Sequence, residues 1–413
     1  MLLDLSVELL QEIGDQLARP DHMSLRQICR SVGAAIEPLF FSSLVLLKEE
    51  LRIDMGRGFL EALATGQTGW SRYAQRLDIK SAKKWRGAGL QRSDTMMQEL
   101  LASVLGSLSN IRTVKWESYK DPVWQVNALC DFLNNLPLLD DLRLGVYETT
   151  ELSLGRLSGL KRLNIHASYM ESPNHSLTSL HLSGGSGDAR VWTMLHGNPH
   201  LQIHLTDIST GNVTPDLFAY LASYSGVEKL NFWGLSGRSR IQADDLADTF
   251  FTTVLPRHAK SLLELTCPAG YECRWSFGTH NVDALSALHN VRSLYVSMNP
   301  DEPVDAAHLL LRTVDLLPHL QRLTIDSADP DSLRNVQRGC LISSEDTVID
   351  RVVKTVMQDF RSRVASPMIL RCGFMGCDVY VRKYVESEKS AAAAEGGAMW
   401  AYQFLEQRGV LDE

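Results

Sequence analysis

The sequence has little of what secreted and membrane proteins need. Its seven cysteines are an odd number scattered along 413 residues, which favours reduced, mostly buried thiols over a disulfide framework. The N-terminus lacks a basic leader, because Asp4 and Glu8 interrupt its first apolar residues. The longest apolar run near the start, Leu44 to Leu47, is too short to span a bilayer. We therefore expect an intracellular chain, cytoplasmic or nuclear, with no membrane partner.

Positive charge is also scarce. The chain has 41 Lys and Arg against 49 Asp and Glu, a formal net charge of -8. Nucleic-acid binding needs a net basic surface or patch, so we expect no nucleic-acid partner. The hydrophobic content of 44% and the charged content of 22% are ordinary for a globular chain, and extensive disorder is not expected.

Familiar enzyme and metal motifs are missing as well. There is no Gly-x-x-x-x-Gly-Lys-Ser/Thr phosphate loop, no His-Glu-x-x-His and no Gly-x-Ser-x-Gly; the nearest segment, Gly184 to Asp188, lacks the closing glycine and is expected to be a turn. His258, Cys267, Cys273 and His280 are separated by eight, five and six residues, which is wider than the ligand pairs of zinc sites. We expect no catalytic residue, no metal and no cofactor.

What the sequence does contain is a repeated apolar phrase. Leu320, Leu323 and Ile325 read apolar, two free positions, apolar, one free position, apolar. The last two apolar residues of such a phrase point to one face of a strand, and the residues around them point to the other. The same spacing recurs at Ile111, Val114 and Trp116; Leu139, Leu142 and Leu144; Leu160, Leu163 and Ile165; Leu177, Leu180 and Leu182; Val227, Leu230 and Phe232; Leu262, Leu265 and Cys267; and Val291, Leu294 and Val296. Each copy predicts a strand with one buried face and one free face.

Helical segments separate these phrases, for example Val126 to Leu136 and Ala306 to Leu317. A strand followed by a helix, repeated, predicts a parallel sheet with helices outside it. The phrase resembles the strand half of a leucine-rich repeat, although the asparagine that usually follows it is mostly missing. The longest step, before Leu230, predicts a degenerate copy at Ile203 and Leu205.

The first 41 residues follow a different pattern. Apolar residues recur every four positions, on one predicted helical face, at Leu5, Leu9, Ile13 and Leu17. Arg19-Pro20-Asp21 is expected to break this helix, and a second helix, carrying Leu25, Ile28 and Val32, is expected to end at Glu37-Pro38. The pattern predicts two or three short helices sharing a small core.

This block, DLSVELLQEIGDQLARPDHMSLRQICRSVGAAIEPLFF, resembles an F-box. The likeness lies in the opening Leu-x-x-Glu-Leu-Leu, the Pro-Asp break, Ser-Leu-Arg-x-x-Cys-Arg and the closing Pro-Leu-Phe. It departs from the family where Leu5-Ser6 replaces the usual Leu-Pro and where Ser31-Val32-Gly33 replaces an aromatic residue. Residues 1–328 together resemble F-box proteins with irregular leucine-rich repeats, numerous in fungi. The resemblance implies docking on the adaptor Skp1, which links such proteins to a cullin-RING ubiquitin ligase.

The predicted fold is therefore of the α/β class. Residues 1–41 would form an F-box-like three-helix domain, 42–328 a leucine-rich-repeat solenoid with a parallel sheet on its concave face, and 329–413 a C-terminal α+β cap. The strand within Leu317 to Ala328 would lie at the open edge of the array, against that cap. Met399 to Gln407 is predicted as a last helix.

The resemblance implies a non-catalytic substrate-recognition adaptor with an unknown protein target. The residues expected to bind Skp1 are Leu5, Val7, Leu9, Ile13, Leu17 and Leu25. The free strand positions on the concave face supply a target-binding strip, defined as Lys115, Arg143, Arg162, His166, His181, Lys229, Trp233, Tyr295 and Arg322. Its basic and aromatic side chains suit an acidic or phosphorylated segment; the alternative is an ordinary solvated strand face.

Three other interpretations of the whole chain stay open. The helices could be a plain cap over the first repeat, and the array an interaction scaffold that is not linked to ubiquitination. An enzyme could use residues 329–413, in which case a polar cluster in a pocket is expected there. An F-box protein could also act outside ubiquitination.

Overall fold

A computed structural model describes residues 5–47, 57–80, 94–118, 123–146, 159–166, 176–183, 188–197, 202–233, 235, 239–299, 303–334, 344–362, 364, 368–372, 378–385 and 399–407. The turn expected from Gly184 begins outside them. The chain divides into two compact units, Met1–Gly187 with Leu201–Ile203 and Asp188–His200 with His204–Glu413.

The first unit opens with a helical block, residues 5–41. Its helices are α1 (Val7–Asp15), α2 (Arg19–Leu25) and α3 (Arg30–Phe40). The rest of the unit alternates strands and helices: β1 (Ser43–Leu47), α4 (Arg57–Ala64), α5 (Gly69–Tyr73), β2 (Arg76–Lys80), α6 (Asp94–Gly106), β3 (Thr113–Ser118), α7 (Val123–Asn134), β4 (Asp141–Val146), β5 (Arg162–His166) and β6 (Ser179–Leu182).

The second unit continues the alternation. Its elements are α8 (Asp188–Gly197), β7 (Asp207–Thr210), α9 (Pro215–Ala222), β8 (Lys229–Phe232), α10 (Arg240–Thr249), a π-helical turn (Phe250–Val254), α11 (Leu255–His258), β9 (Glu264–Thr266), α12 (Val282–Ser286), β10 (Ser293–Met298), α13 (Pro303–Val314), β11 (Arg322–Ser327), a short 3-10 turn (Asp331–Leu333), α14 (Ser344–Asp359), β12 (Ile369–Cys372), β13 (Asp378–Val385) and β14 (Met399–Gln407).

The helical block is held by a core that differs from the face the sequence predicted. Leu10 packs with Val32, Ala35 and Ile36, whereas Leu5 and Leu17 lie before and after α1. A Cβ at Gly14 would lie 2.6 Å from a methyl of Leu39, so glycine lets α1 approach α3 closely. The core therefore follows from Leu10 and Gly14, one turn apart on α1.

Of the two proline predictions in this block, the first is confirmed and the second is wrong. The first helix ends before Arg19-Pro20-Asp21, where α2 begins, and the Ala18 N–H donates to the Asp21 carboxylate over 3.2 Å, which caps the new helix. Pro38 lies inside α3, which runs on to Phe40. The expected single helix over Leu25 to Val32 is split between α2 and α3.

In the first unit, β1 to β6 pair in chain order and in parallel. The middle apolar residues of the phrases align across the strands, as Leu77, Val114, Leu142, Leu163 and Leu180. All of these are buried. The predicted α/β class and the buried strand faces are confirmed.

The second unit repeats this register in parallel from β7 to β12 and then ends in an antiparallel hairpin, β13 and β14, added to β12. The degenerate copy was placed five residues too early: its last two apolar places are Ile208 and Thr210 on β7, not Ile203 and Leu205. Leu205 fills the first place, and a buried threonine fills the last one. The predicted helix over Met399 to Gln407 is wrong, because strand pairing with β13 overrides its local helix propensity. The prediction for β11 is wrong about an open edge but right about the cap: β12, from the residues predicted to form the cap, pairs with its outer side.

Candidate binding surfaces

The helical block carries a set of exposed apolar side chains, here called the apolar face. Between 36% and 57% of each residue is exposed. The members are Val7, Leu9, Ile13, Leu17, Met23 and Ile28. Four of the six residues expected to bind Skp1 belong to it, while the other two, Leu5 and Leu25, pack partly buried against the core of the block. Among the described residues of the block, then, the apolar side chains are divided between an internal core and an external face.

The block rests on the rest of its unit through the end of α3. Phe41 and Trp70 of α5 meet edge to face with ring centroids 4.7 Å apart, and the Trp70 indole N–H donates to the Ser43 carbonyl over 3.2 Å. The Arg26 guanidinium lies 4.4 Å from the Phe40 ring and 4.5 Å from the Phe41 ring, a cation-π arrangement that stiffens this end. This contact leaves the apolar face of the block uncovered.

In the first unit, the cations of the target-binding strip form ion pairs with carboxylates of the same chain. The Lys115 ammonium lies 2.9 Å from the Glu117 carboxylate, whose hydrogen bond raises the pKa of Lys115. The buried Asp141 carboxylate serves two arginines, Arg143 at 3.4 Å and Arg162 at 3.2 Å. Of the two histidines, His181 is half-buried on β6, and the side chain of His166 lies outside the described part of the structure. Asp140 is a third carboxylate, 3.7 Å from Arg162, so the three cations here are paired with three carboxylates.

In the second unit the strip is paired in the same way. The Lys229 ammonium lies 2.8 Å from the Glu264 carboxylate on the next strand. The Tyr295 hydroxyl donates to the Asp326 carboxylate over 3.0 Å, and burial together with that carboxylate raises the pKa of the phenol. Arg322 is exposed, and no carboxylate among the described residues forms an ion pair with it. Arg322 is thus the cation best placed to meet an external anion.

Trp233 is the exposed aromatic residue of the strip. Its indole N–H donates to the Ser209 hydroxyl over 3.2 Å, and 38% of the residue is exposed just beyond β8. A Cβ at Gly211 would lie 2.9 Å from the ring, so only glycine lets the indole rest on this backbone. Trp233 is therefore held in one orientation with an open face, which suits stacking with a partner.

The sequence pattern predicted the cations of the strip but not two of their carboxylate partners, Asp141 and Glu264. Asp141 and Glu264 begin their strands, two residues from free-face positions that the phrase already identifies. Residues two apart on a strand point to the same face, so both carboxylates could have been predicted beside the strip. The expected excess of positive charge along the strip is largely cancelled by them.

Buried titratable groups have structural partners. His258 accepts a hydrogen bond from the Val227 N–H over 3.4 Å at Nδ1 and bonds the Leu221 carbonyl over 3.1 Å through Nε2. Full burial raises the pKa of the Cys267 thiol to about 12. Within the described ranges, no group of three or more His, Cys, Asp or Glu side chains could hold a metal ion, and no helix is long and apolar enough to cross a membrane.

Comparison with known proteins adds no assignment. No protein-family model matches the chain, and no curated protein matches it. The candidate sites therefore depend on the apolar face, the paired strip and the oriented Trp233.

Proposed function

We propose that this protein is the substrate-recognition adaptor of a Skp1-cullin-F-box ubiquitin ligase. The helical block would act as the F-box and bind a Skp1-like adaptor, and the strand array would act as a leucine-rich-repeat domain that holds a target protein. The chain itself would catalyse nothing. Its contribution would be proximity, because a bound target presents its lysines at high effective concentration to the charged ubiquitin carrier.

The observation that carries the proposal is the apolar face of the helical block. Burial of apolar surface gains about 25 cal/mol per Å², so a partner that covers the exposed part of each of these side chains is favoured. A plain cap over the first repeat would turn its apolar residues toward that repeat. Phe41 makes such a contact with Trp70, but Leu9 and Ile13 stay exposed on the block, which a plain cap does not require.

The charge pairing of the strip bears on the kind of target. A phosphorylated segment would have to compete with Glu117, Asp141 and Glu264 for the cations they hold. The arrangement favours recognition by stacking on Trp233 and by hydrogen bonds, with Arg322 available for a single carboxylate or phosphate.

The testing experiment is co-purification of the tagged full-length chain with Skp1 and cullin. We expect both to co-purify with the wild-type chain and both to be lost with Leu9→Asp and Ile13→Asp together. The matched control is Met96→Asp with Val123→Asp, which adds the same two charges at exposed apolar positions of α6 and α7. We expect the control to retain Skp1.

The outcomes separate the proposal from its rival, a repeat scaffold that is not linked to ubiquitination. Recovery of target proteins without Skp1 or cullin favours the scaffold and overturns the adaptor role. Skp1 retained by the Leu9→Asp, Ile13→Asp variant removes the apolar face as the docking surface. Loss of targets in Trp233→Ala with Skp1 retained assigns the two partners to the two predicted surfaces.

A further inference from the structure

A groove opens on the second unit between α9 and α10, on the helical side of the chain rather than on the strip. Its volume is 580 Å³. The lining residues are Pro215, Phe218, Ala219, Ala222, Gln242, Asp245, Leu246, Thr249, Thr253 and Val254. Pockets that hold small molecules have volumes of about 300 to 1,000 Å³ and mostly apolar linings, so the groove has the dimensions of a ligand site.

Each wall is one face of a helix. On α9 the wall consists of Pro215, Phe218, Ala219 and Ala222, which have the spacing i, i+3, i+4 and i+7 of one helical face. The side chains of Ala219 and Ala222 are too small to fill the groove. The Phe218 ring closes the base of that wall, with its centroid 5.8 Å from that of the buried Phe250. The cavity therefore comes from alanines at positions where larger apolar residues would fill the space.

The π-helical turn completes the second wall. Two regular turns span about seven residues, and a π turn, with its i to i+5 bonding, adds about one more. Val254 follows Leu246 by eight residues, so the widened turn brings its side chain onto the same face. In a regular helix the Val254 side chain would be rotated away from the groove. The irregular turn thus supplies part of the apolar lining, as such turns often do at functional sites.

Asp245 is the formally charged residue of this lining. Its neighbours on α10 have partners: Asp244 lies 3.8 Å from Arg240, and Asp248 pairs with Arg274. The Asp245 carboxylate forms no ion pair with a cation in the described part of the chain. Thr249 donates its hydroxyl to the Asp245 carbonyl over 2.9 Å, so one polar group of the wall is already satisfied internally. The groove combines an apolar lining with one free negative charge.

We propose that this groove binds a small apolar molecule that carries a cationic amine. The apolar body lies against Phe218, Ala222 and Leu246, and the ammonium pairs with Asp245. Anionic ligands are repelled by the same carboxylate. This assignment is independent of the adaptor role, since it uses neither the apolar face nor the strip.

The experiment uses three matched probes: 4-phenylbutylammonium, 4-phenylbutanol and 4-phenylbutyrate. Each is titrated into the full-length chain, with methyl NMR signals of Leu246 and Val254 as the readout. We expect the ammonium to shift both signals and to bind about two- to fivefold more tightly than the alcohol, the gain expected of a partly exposed ion pair. The carboxylate is expected to bind more weakly than the alcohol.

Two variants test the assignment. Asp245→Asn is expected to bring the ammonium to the affinity of the alcohol, and Ala222→Phe to abolish the shifts of both by filling the groove. Asp305→Asn, an exposed carboxylate on α13, is the control and is expected to bind as the wild type does.

Equal binding of the three probes, or no shift of either methyl signal, overturns the proposal. A Leu- and Lys-rich helical peptide serves as a fourth probe. If it shifts these signals while the small ammonium does not, the groove takes a protein helix and the proposal is overturned. The same conclusion follows for a second copy of the chain if the signals change with protein concentration alone.

Discussion

Leu9 and Leu10 are neighbours on α1, yet Leu10 is buried against α3 while 47% of Leu9 is exposed. An α-helix turns by about 100° per residue, so adjacent leucines face different surroundings. Leu10 therefore belongs to the core, whereas Leu9 is exposed at the proposed Skp1 contact, so folding and the proposed binding can be tested separately.

Leu10→Ala is expected to destabilise the helical block by about 2 to 5 kcal/mol, because it removes buried methyl groups and leaves a cavity beside Ile36. Leu9→Ala is expected to change the stability by less than about 0.5 kcal/mol, as for an exposed side chain. Urea unfolding together with amide exchange in α1 and α3 measures both. Equal losses for the two variants would contradict the division.

The repeated phrase predicts the parallel strands because its signal is local and strict. In Leu320, Leu323 and Ile325, each residue occupies the predicted buried place. Two apolar residues at i and i+2 are enough to fix the buried face of a strand, wherever the strand lies in the sheet. The same logic gives Lys115 and Trp233 their free-face positions, so the candidate strip was accessible from the sequence.

The failures come from features that depend on distant partners. Met399 to Gln407 forms a strand because β13 is there to pair with it, and the local pattern carries no sign of that hairpin. The β7 phrase was missed because a threonine, Thr210, stands where the pattern requires an apolar residue. Thr210 can be buried there because its hydroxyl oxygen accepts a hydrogen bond from the Asn212 N–H over 3.2 Å. The groove at Ala222 was not predicted because alanines within an apolar helical face are also typical of close helix packing.

Trp233→Ala is expected to separate target binding from stability. The indole is partly exposed and tied through one hydrogen bond to Ser209, so its removal should cost the array about 1 kcal/mol. A central aromatic contact can contribute 2 kcal/mol or more to an interface, so co-purified target proteins should fall by at least about tenfold. Phe404→Ala, an exposed aromatic on β14, is the control. Unchanged target recovery in Trp233→Ala would exclude this residue from the interface.

His258 is expected to make the second unit sensitive to mild acid. Burial, with a smaller contribution from Arg257, lowers the pKa of its imidazole in the folded chain, and the neutral ring bonds Val227 and Leu221. The unfolded chain has an ordinary histidine pKa near about 6.5 and takes up the proton first. Stability is therefore full above that pH and falls as the pH drops below it.

The measurement is the urea midpoint at pH 7.5 and at pH 5.5. His258→Gln should be less stable than the wild type at pH 7.5 and should lose less on acidification. His204→Gln, an exposed histidine stacked on Tyr224, is the control and should keep the wild-type pH dependence. The same acid loss in His258→Gln as in the wild type would refute the assignment.

Arg382 and Asp315, the residue that follows α13, are expected to hold the C-terminal hairpin in place as a coupled pair. The guanidinium lies 3.2 Å from the Asp315 carboxylate and donates to the Tyr402 hydroxyl over 2.8 Å; its side chain is only 2% exposed. The Ser362 hydroxyl donates to the same carboxylate over 2.7 Å. Arg382 and Ser362 are buried, Asp315 is half-buried, and the groups pair with one another, so we expect the cluster to hold the hairpin in place.

Arg382→Met should cost about 3 kcal/mol, because it leaves a half-buried carboxylate without its cation. Asp315→Leu should cost a similar amount, since it leaves a buried guanidinium without its carboxylate. The double variant should cost clearly less than the sum, because replacing both members of a buried ion pair by apolar residues is close to neutral. A double-mutant cycle from urea unfolding measures the coupling, with the exposed Arg351→Met as the control. Strictly additive losses would mean that the two side chains stabilise the hairpin independently, which would contradict a coupled pair.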